Sequence, residues 1–277
     1  MSTTPSTHTL RVGTVPYLIA RPLDLGLEAE ADIELTQDLP ANLVESLRAG
    51  ELDVALVSSI ELFRRPGYTY LPGLTVAAHG HISSVLMFHD RPLASLRSVA
   101  LDPASRAARV LLQIVLEERG LTPDWVDVPQ GEDPRTAGCD AWLRIGDAAL
   151  REGADPSSPD SLSPSALWKE ITTLPFPFAV WVVRDGVELS GHYDSFLRAR
   201  VRGADALSEL VRMGAETWNL EEAYVHRYLV EESAYELGAE LPRALSELRN
   251  RAAVLGLCDS GFDPQPHEPL RREGILS

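Results

Sequence analysis

Short apolar runs alternate with amphipathic stretches along the first part of the chain, a pattern typical of strands followed by helices. Residues 11–15 and 33–36 are predicted strands, and residues 53–57 (DVALV) form a continuous apolar run, as expected of a strand buried on both faces. Pro40 and Gly50 bracket a predicted helix, because proline is favoured just inside a helix start and glycine just past its end. Strand–helix units of this kind predict parallel pairing.

The pattern restarts after Pro92 and becomes helical from Ser195 onward. Asp102, Pro103 and Ser105 are start signals for a helix that runs to about Arg119. The last helix has an apolar face that we expect to pack as core. The further predicted strands are residues 82–88, 99–101, 141–145 and 178–183, and the apolar face consists of Leu241, Leu245, Leu248, Ala252 and Leu255.

This order of elements predicts an α/β protein whose ligand lies at the carboxyl ends of the strands. With 277 residues, the chain is also long enough that two lobes are expected. The ends of the chain, up to residue 10 and from about Asp259, are predicted to be loose tails. The loops placed at the strand ends are Pro16-Tyr17, Ser58-Ser59, Asp102 to Arg106, and Gly146-Asp147.

Composition narrows the classes of function. The formal net charge of −16 argues against nucleic acid or an anionic membrane as a partner, and an anionic ligand would need a locally positive site. The amino terminus has no basic and apolar leader pattern, so a cytoplasmic location is expected. Lys169 is the one lysine, so arginine supplies nearly all positive charge, through genome composition or through its aptitude for gripping carboxylates. Cys139 and Cys258 are too far apart for a CxxC pair and are expected to stay reduced.

The specific motifs of several enzyme classes are missing. The sequence contains no GxGxxG, GxxxxGK[ST], GxSxG or HExxH, and no cofactor is therefore predicted. His79 and His81 would lie on one side of a strand, in the arrangement of a pair of metal ligands, but no third ligand accompanies them. Histidines at a loop or strand end are the alternative, and we predict no metal site.

Several short sequence segments resemble those of a known family and follow the same order along the chain. The family is the chorismate dehydratases of the futalosine route to menaquinone. The segments are RVGTVPYL with RPL, LVESLRAGELDVALVSSIE, ISSVLMF, LRIGDAAL and LWKEITTLPFPFAVWV, spread over residues 11–184. The resemblance implies a two-lobed fold like the type II periplasmic binding proteins, with a mostly parallel sheet flanked by helices in each lobe and a ligand cleft between the lobes. Residues 10–88 with 184–277 would form one lobe and residues 89–183 the other, with crossovers near 88–92 and 178–184. The implied activity is a hydro-lyase that converts chorismate, a small dicarboxylate, to 3-[(1-carboxyvinyl)oxy]benzoate in the cytoplasm.

The resemblance also implies site residues. Ser84 stands at a serine associated with substrate contact, although a strand serine can equally bond to backbone. Asp147 could orient a substrate hydroxyl or accept a proton, or could cap a helix. We therefore expect Ser84 and Asp147 to be catalytic, and the substrate to be bound by Tyr17, Ile19, Ser58, Ser59, Ser84, Ser105, Arg106 and Phe178.

Each binding residue has a structural alternative. Ser105 and Arg106 begin a helix, where backbone N–H groups favour a carboxylate, yet Ser105 or Asp102 could be a simple cap. The two serines that end the buried strand could donate to a ligand or cap the next helix. Phe178 could wall a ligand ring or pack in the core.

Ile19 is the main departure from the family pattern, which has an asparagine of the active site there. Isoleucine can neither donate nor accept a hydrogen bond. Thr173 and the pair Ala107-Ala108 also replace family residues, a glycine and two hydroxyl donors. Either the reaction proceeds without the amide, or the protein is a non-catalytic intracellular binding protein for a small aromatic carboxylate.

Overall fold

A computed structural model describes residues 9–104, 106–189 and 191–267. Eleven strands lie in these ranges: β1 (Leu10–Thr14), β2 (Ile33–Gln37), β3 (Val54–Ser58), β4 (Thr69–Ala78), β5 (Val85–His89), β6 (Ser98–Leu101), β7 (Asp124–Asp127), β8 (Ala141–Ile145), β9 (Ser161–Leu162), β10 (Phe176–Val183) and β11 (Ser233–Glu236). They form two sheets, one in the order β11-β4-β10-β3-β1-β2 and the other in the order β7-β6-β8-β5-β9. The protein therefore has the expected two-lobed α/β architecture.

The helices flank these sheets. They are α1 (Arg21–Asp24), α2 (Pro40–Ala49), α3 (Ala107–Glu117), α4 (Gly146–Ala154), α5 (Pro164–Thr172), α6 (Tyr193–Asp205), α7 (Leu207–Trp218), α8 (Glu222–His226) and α9 (Glu240–Val254), with a π-helical turn at Arg227–Glu232. In the described part of the chain, no helix is long and apolar enough to cross a membrane.

Burial explains several of these elements. Every residue of β3 is buried, as its continuous apolar sequence predicts. Helix α2 begins at Pro40 and ends before Gly50, which has a positive φ of 76°. The apolar face predicted on the last helix is confirmed, because Leu241, Leu245, Leu248 and Ala252 are buried; Leu255 is partly buried.

The prediction of mostly parallel sheets is wrong. In the first sheet β1 pairs in parallel with β2 and β3, whereas β10 runs antiparallel to both β3 and β4. In the second sheet β6 pairs in parallel with β7 and β8, whereas β5 runs antiparallel to β8. The reason is topological: β5 and β10 each enter a lobe from the side at which the parallel strands end, so they run in the opposite direction.

The predicted crossovers are displaced. Val85–His89 belongs to the second sheet and Phe176–Val183 to the first, so the chain passes between the sheets after Ala78 and returns after Leu162. The family resemblance implies crossovers near 88–92 and 178–184, and the sequence pattern gives no correction, because an apolar strand has the same appearance whichever sheet it joins. The carboxyl-terminal part is also not wholly helical, because β11 pairs with β4.

The tail predicted to be loose from Asp259 is held in place up to residue 267. Arg249 Nη1 lies 2.5 Å from Asp263 Oδ1, and the His267 backbone N–H donates to Tyr70 O at 2.7 Å. This segment therefore packs beside β4.

Candidate functional site

A cavity lies where the two sheets face each other, with about 680 Å³ of empty space when its open mouth is included. Residues from both sheets line it, as expected of a cleft between lobes. From the first sheet and its loops come Val15, Tyr17, Ile19, Pro40, Leu56, Val57, Ser58, Val76, Phe178 and Ala179; from the crossover and the second sheet come Ile82, Ser84, Val85, Ala104, Arg106, Ala107, Ala108, Ile145 and Gly146.

Ser58 reaches the cavity at the carboxyl end of β3. Its Oγ is buried and has no hydrogen-bond partner among the described residues, and its side chain does not cap the short 3₁₀ helix that follows. The helix-cap alternative is therefore not observed for Ser58. A buried hydroxyl without a protein partner is rare in folded proteins.

Ser59, the other serine of this pair, has a different role. It is fully buried and its Oγ donates to the Pro177 carbonyl, which ties the end of β3 to β10. Ser59 is absent from the cavity lining, so the expectation that it contacts substrate is corrected. The reason is that Ser59 begins the 3₁₀ helix Ser59–Phe63 and turns its hydroxyl to β10.

Ser84 lines the cavity from the crossover between β4 and β5. It is 4% exposed, and its carbonyl accepts a hydrogen bond from the Gly146 N–H at 2.8 Å. The predicted strand here began at residue 82, whereas β5 begins at Val85. The residue therefore lies on the segment that joins the lobes.

Tyr17 and Gly146 meet across the cleft. Gly146 has a φ of +61°, and a Cβ there would lie 3.2 Å from two Tyr17 ring carbons. The missing side chain thus allows both the left-handed backbone and the approach of the ring. Burial raises the pKa of Tyr17 to about 12, and the carboxyl groups of Asp102 and Asp147 add to the shift.

The wall of the cavity is aromatic and aliphatic. Phe178 is 9% exposed and packs edge-on against the fully buried Phe176 at 4.8 Å between ring centroids. Ile19, also only slightly exposed, lies in the 3₁₀ turn Leu18–Ala20 after β1. Phe178 therefore lines the cavity, whereas Phe176 is part of the core.

Arg106 brings positive charge to the mouth of the cavity. It precedes α3, whose first two residues, Ala107 and Ala108, also line the cavity. The first helical bond of this turn runs from Val110 N to Arg106 O, so the preceding amides have no intrahelical acceptor. This end of the helix favours an anion. Ser105, predicted to take part, lies outside the described residues.

Arg106 also belongs to a basic cluster that counters the negative charge of the whole protein. Its Nη2 lies 3.3 Å from Glu45 Oε1, and its Nη1 lies 3.8 Å from Oε2 of the fully buried Glu61. Arg48 binds the same Glu61 carboxylate through two bonds, at 2.7 and 2.8 Å. Arg48 also lies 3.2 Å from Glu45, so two guanidinium groups share two carboxylates.

Asp147, expected to be catalytic, is absent from the lining of the cavity. It is the second residue of α4, whose N-cap is Ile145, so the helix-cap alternative does not hold. Its Oδ1 is buried without a hydrogen-bond partner among the described residues. Burial raises its pKa to about 6, opposed by the backbone N–H of Leu18.

Asp102 joins the ends of two strands of the second sheet. Oδ1 accepts from Ala104 N at 3.0 Å and Oδ2 from Ile145 N at 3.4 Å. Burial raises its pKa. These bonds shape the loop that carries Arg106.

In the described lining of the cavity, neither an acidic residue nor a histidine is present. His79 and His81 lie elsewhere, in a polar surface groove with Glu231 and Glu232. Within the described ranges, no group of three or more His, Cys, Asp or Glu side chains is arranged to hold a metal.

Sequence reasoning missed Val76, Glu61 and Arg48. Val76 lies on β4, where Pro72-Gly73 in the middle of the strand has the appearance of a turn. Glu61 had a usable signal: a single acidic residue within an otherwise apolar stretch, SIELF, which requires a buried partner.

Comparison with known proteins identifies relatives. A family model described as menaquinone biosynthesis matches residues 10–254. A protein named chorismate dehydratase from Thermus thermophilus is 30% identical over 235 residues, covering 79% of this chain and 86% of the relative.

Solved structures agree on the fold. An Archaeoglobus fulgidus protein superimposes with a TM-score of 0.74 at 17% identity, covering 92% of this chain and all of that one. The periplasmic aliphatic sulphonate binding protein of Escherichia coli gives a TM-score of 0.64 at 15% identity, covering 92% and 95%. A Candida albicans protein described as having the generic periplasmic binding protein fold gives 0.60 at 12% identity, covering 97% and 99%.

Proposed function

The chain belongs to the menaquinone biosynthesis family, and we propose that it is a hydro-lyase that removes water from chorismate to give 3-[(1-carboxyvinyl)oxy]benzoate. The main support is the character of the cavity: a guanidinium and a helix start at the mouth, apolar walls, and two serine hydroxyls. This combination suits a ring that carries carboxylates. The proposed setting is the cytoplasm, as the family resemblance implies.

The reaction needs little catalytic apparatus. The proton that leaves is on a ring carbon conjugated through a double bond to the ring carboxylate, which makes it acidic. The hydroxyl that leaves is on the neighbouring carbon, and the loss of both creates an aromatic ring. The protein has mainly to hold the ring in place, balance carboxylate charge and guide one proton.

Arg106 and the first turn of α3 are proposed to bind one substrate carboxylate. The guanidinium supplies charge-assisted hydrogen bonds, and the free amides of the helix start add donors. Because Glu45 is largely exposed, its weak pairing with Arg106 at 3.3 Å can be exchanged for a ligand carboxylate at low cost.

The apolar walls are proposed to clamp the ring. Phe178 would stack on or edge against it, and Ile19 would pack on its rim. Ser58 and Ser84 would donate to the substrate's polar groups, including the hydroxyl that departs. The Ser58 Oγ is suited to this because no described protein group competes for it.

The proton acceptor is proposed to be a carboxylate of the substrate itself, held over the ring. The described lining offers no carboxylate or imidazole that could act as a base. In this step the ring C–H bond breaks and its proton passes to the substrate carboxylate. The C–O bond then breaks, and the departing hydroxide leaves as water with that proton.

Asp147 is proposed to support the site from behind. Its carboxyl group faces the Leu18 backbone and lies near Tyr17, so it would fix the turn that carries Tyr17 and Ile19. It would not touch the reacting atoms.

The test is to incubate the purified protein with chorismate and separate the products by liquid chromatography with mass detection. A product lighter than chorismate by one water, formed faster than in buffer, is expected. Intact chorismate together with a raised melting temperature would instead indicate a binding protein without turnover and would overturn the proposed reaction.

A further inference from the structure

The first crossover between the lobes, residues 79–84, is held by a carboxylate from the far end of the chain. Glu232 Oε2 accepts a hydrogen bond from Ser83 N at 2.7 Å, and Glu232 Oε1 accepts one from Ser83 Oγ at 3.0 Å. Both donors belong to the residue directly before Ser84. One carboxylate therefore fixes the backbone and the side chain of that residue together.

The Glu232 carboxylate has little freedom to turn. Its side chain is 8% exposed, and Arg227 Nε donates to Oε1 at 3.2 Å. His81 Nε2 lies 3.8 Å from the same oxygen. Bonds to an ionised acceptor are stronger than those between neutral groups. The contact is thus a specific clamp rather than a loose surface pair.

An unusual backbone places this carboxylate. Glu232 ends the π-helical turn Arg227–Glu232, and such turns are rare and frequently occur at functional sites. Side chains satisfy its carbonyls: Ser233 Oγ donates to Tyr228 O at 2.6 Å, and Tyr235 OH donates to Leu229 O at 3.2 Å. The next residue, Ser233, is then in register with Ala78, the last residue before the crossover.

Ser84 is therefore fixed from both sides. The preceding residue is bound by Glu232, and the Ser84 carbonyl accepts from Gly146 N at 2.8 Å, a bond that continues the β5–β8 pairing of the second sheet. We propose that Glu232 is a positioning residue, whose carboxylate fixes the interlobe crossover and thereby aims Ser84 into the cavity. The effect on turnover rests on the proposed function, in which Ser84 contacts the substrate.

The test compares Glu232→Ala and Glu232→Gln with wild type and with Glu231→Gln. Glu231 is the matched control because its side chain is 61% exposed and only approaches His226 at 3.5 Å. A small misplacement of a substrate-contacting group lowers turnover, so kcat for chorismate should fall by about tenfold in Glu232→Ala with KM changed by less than about twofold. Glu232→Gln keeps one acceptor oxygen and should lie between Glu232→Ala and wild type.

Hydrogen–deuterium exchange gives an independent measurement. In both Glu232 variants the peptide covering residues 79–88 should exchange faster than in wild type, whereas Glu231→Gln should match wild type. Glu232→Gln supplies the result if Glu232→Ala does not fold.

The outcomes separate the two proposals. If wild-type protein does not dehydrate chorismate, the proposed function fails, and the exchange measurement alone decides on the clamp. Unchanged exchange in the Glu232 variants overturns the clamp whatever the activity. A loss of melting temperature with unchanged kcat per folded molecule would show a purely structural contact and would also overturn the positioning role.

Discussion

Ile19 places a branched hydrocarbon against the cavity at a position where the resembled family has an amide. Its side chain is almost buried and lies in the 3₁₀ turn beside Tyr17. A residue of this kind can shape the cavity but cannot hydrogen-bond to a departing hydroxyl. The importance of a polar group here can therefore be measured by restoring it.

Replacing Ile19→Asn should raise kcat for chorismate by about tenfold, the effect of one hydrogen bond of about 1.4 kcal/mol in the transition state. The measurement is steady-state kinetics by mass-detected product formation. Ile19→Leu is the matched control, because it keeps an apolar side chain of the same size. An equal or lower kcat in Ile19→Asn would show that the amide is not what limits this protein.

Arg106 is the charged group at the cavity mouth, and its truncation should weaken chorismate binding by about 1.5–3 kcal/mol, typical of a charged hydrogen bond. Arg109→Ala is the control, since Arg109 lies on the same helix but pairs with Asp127 on the surface. Titration calorimetry measures both. Equal affinities of Arg106→Ala and wild type would remove Arg106 from the site.

Some residues of the site could be predicted from the sequence and others could not. Six of the residues expected to bind substrate line the cavity: Tyr17, Ile19, Ser58, Ser84, Arg106 and Phe178. Ser59 and Asp147 do not, because the Ser59 hydroxyl is bound to the Pro177 carbonyl and Asp147 lies within the first turn of α4. Sequence places a residue near a strand end, but the direction of its side chain depends on the register, which only the fold determines.

At the scale of elements, local signals identified most helices and strands and failed where a local signal was misleading. Proline and glycine bracket α2 as predicted. The same residue types, Pro72 and Gly73, lie in the middle of β4, yet that strand runs for ten residues. The pairing of β11 with β4 leaves no local signal, because it joins segments more than 150 residues apart.

Close packing of α1 on α6 depends on Gly203. A Cβ on this residue would lie 2.5 Å from the Pro22 carbonyl carbon, so a methyl group would overlap backbone that cannot move alone. Gly203→Ala should lower the free energy of unfolding by about 1–3 kcal/mol, as overpacking does.

Denaturant unfolding of Gly203→Ala measures this loss. Gly191→Ala is the control, because a Cβ on Gly191 would meet no atom within 4 Å. If Gly203→Ala has the same free energy of unfolding as the wild-type protein, α1 and α6 can move apart freely to accommodate the methyl group.

At the scale of the molecule, the two lobes are in contact around the cavity. Arg106 of the second lobe approaches Glu45 and Glu61 of the first, and Tyr224 OH on α8 donates to Leu150 O on α4 at 3.1 Å. These contacts describe a closed arrangement. The two-lobed form could be predicted from the length of the chain and the family resemblance, whereas the crossover positions could not.

Binding should therefore shift the lobes toward this closed form, because a ligand favours the state in which both sides of the cleft contact it. Small-angle X-ray scattering should give a smaller radius of gyration with saturating chorismate than without it. Superimposable curves would argue that the lobes do not move.

The central claim is that chorismate is dehydrated in the cleft between the lobes. The most direct test is to measure kcat/KM for chorismate in the wild-type protein and in Ser84→Ala. Wild-type protein should form the dehydrated product faster than buffer, and Ser84→Ala should lose at least about tenfold in kcat/KM, since a substrate-contacting hydroxyl is removed. No product from wild type, or equal kcat/KM for the two proteins, would contradict the account.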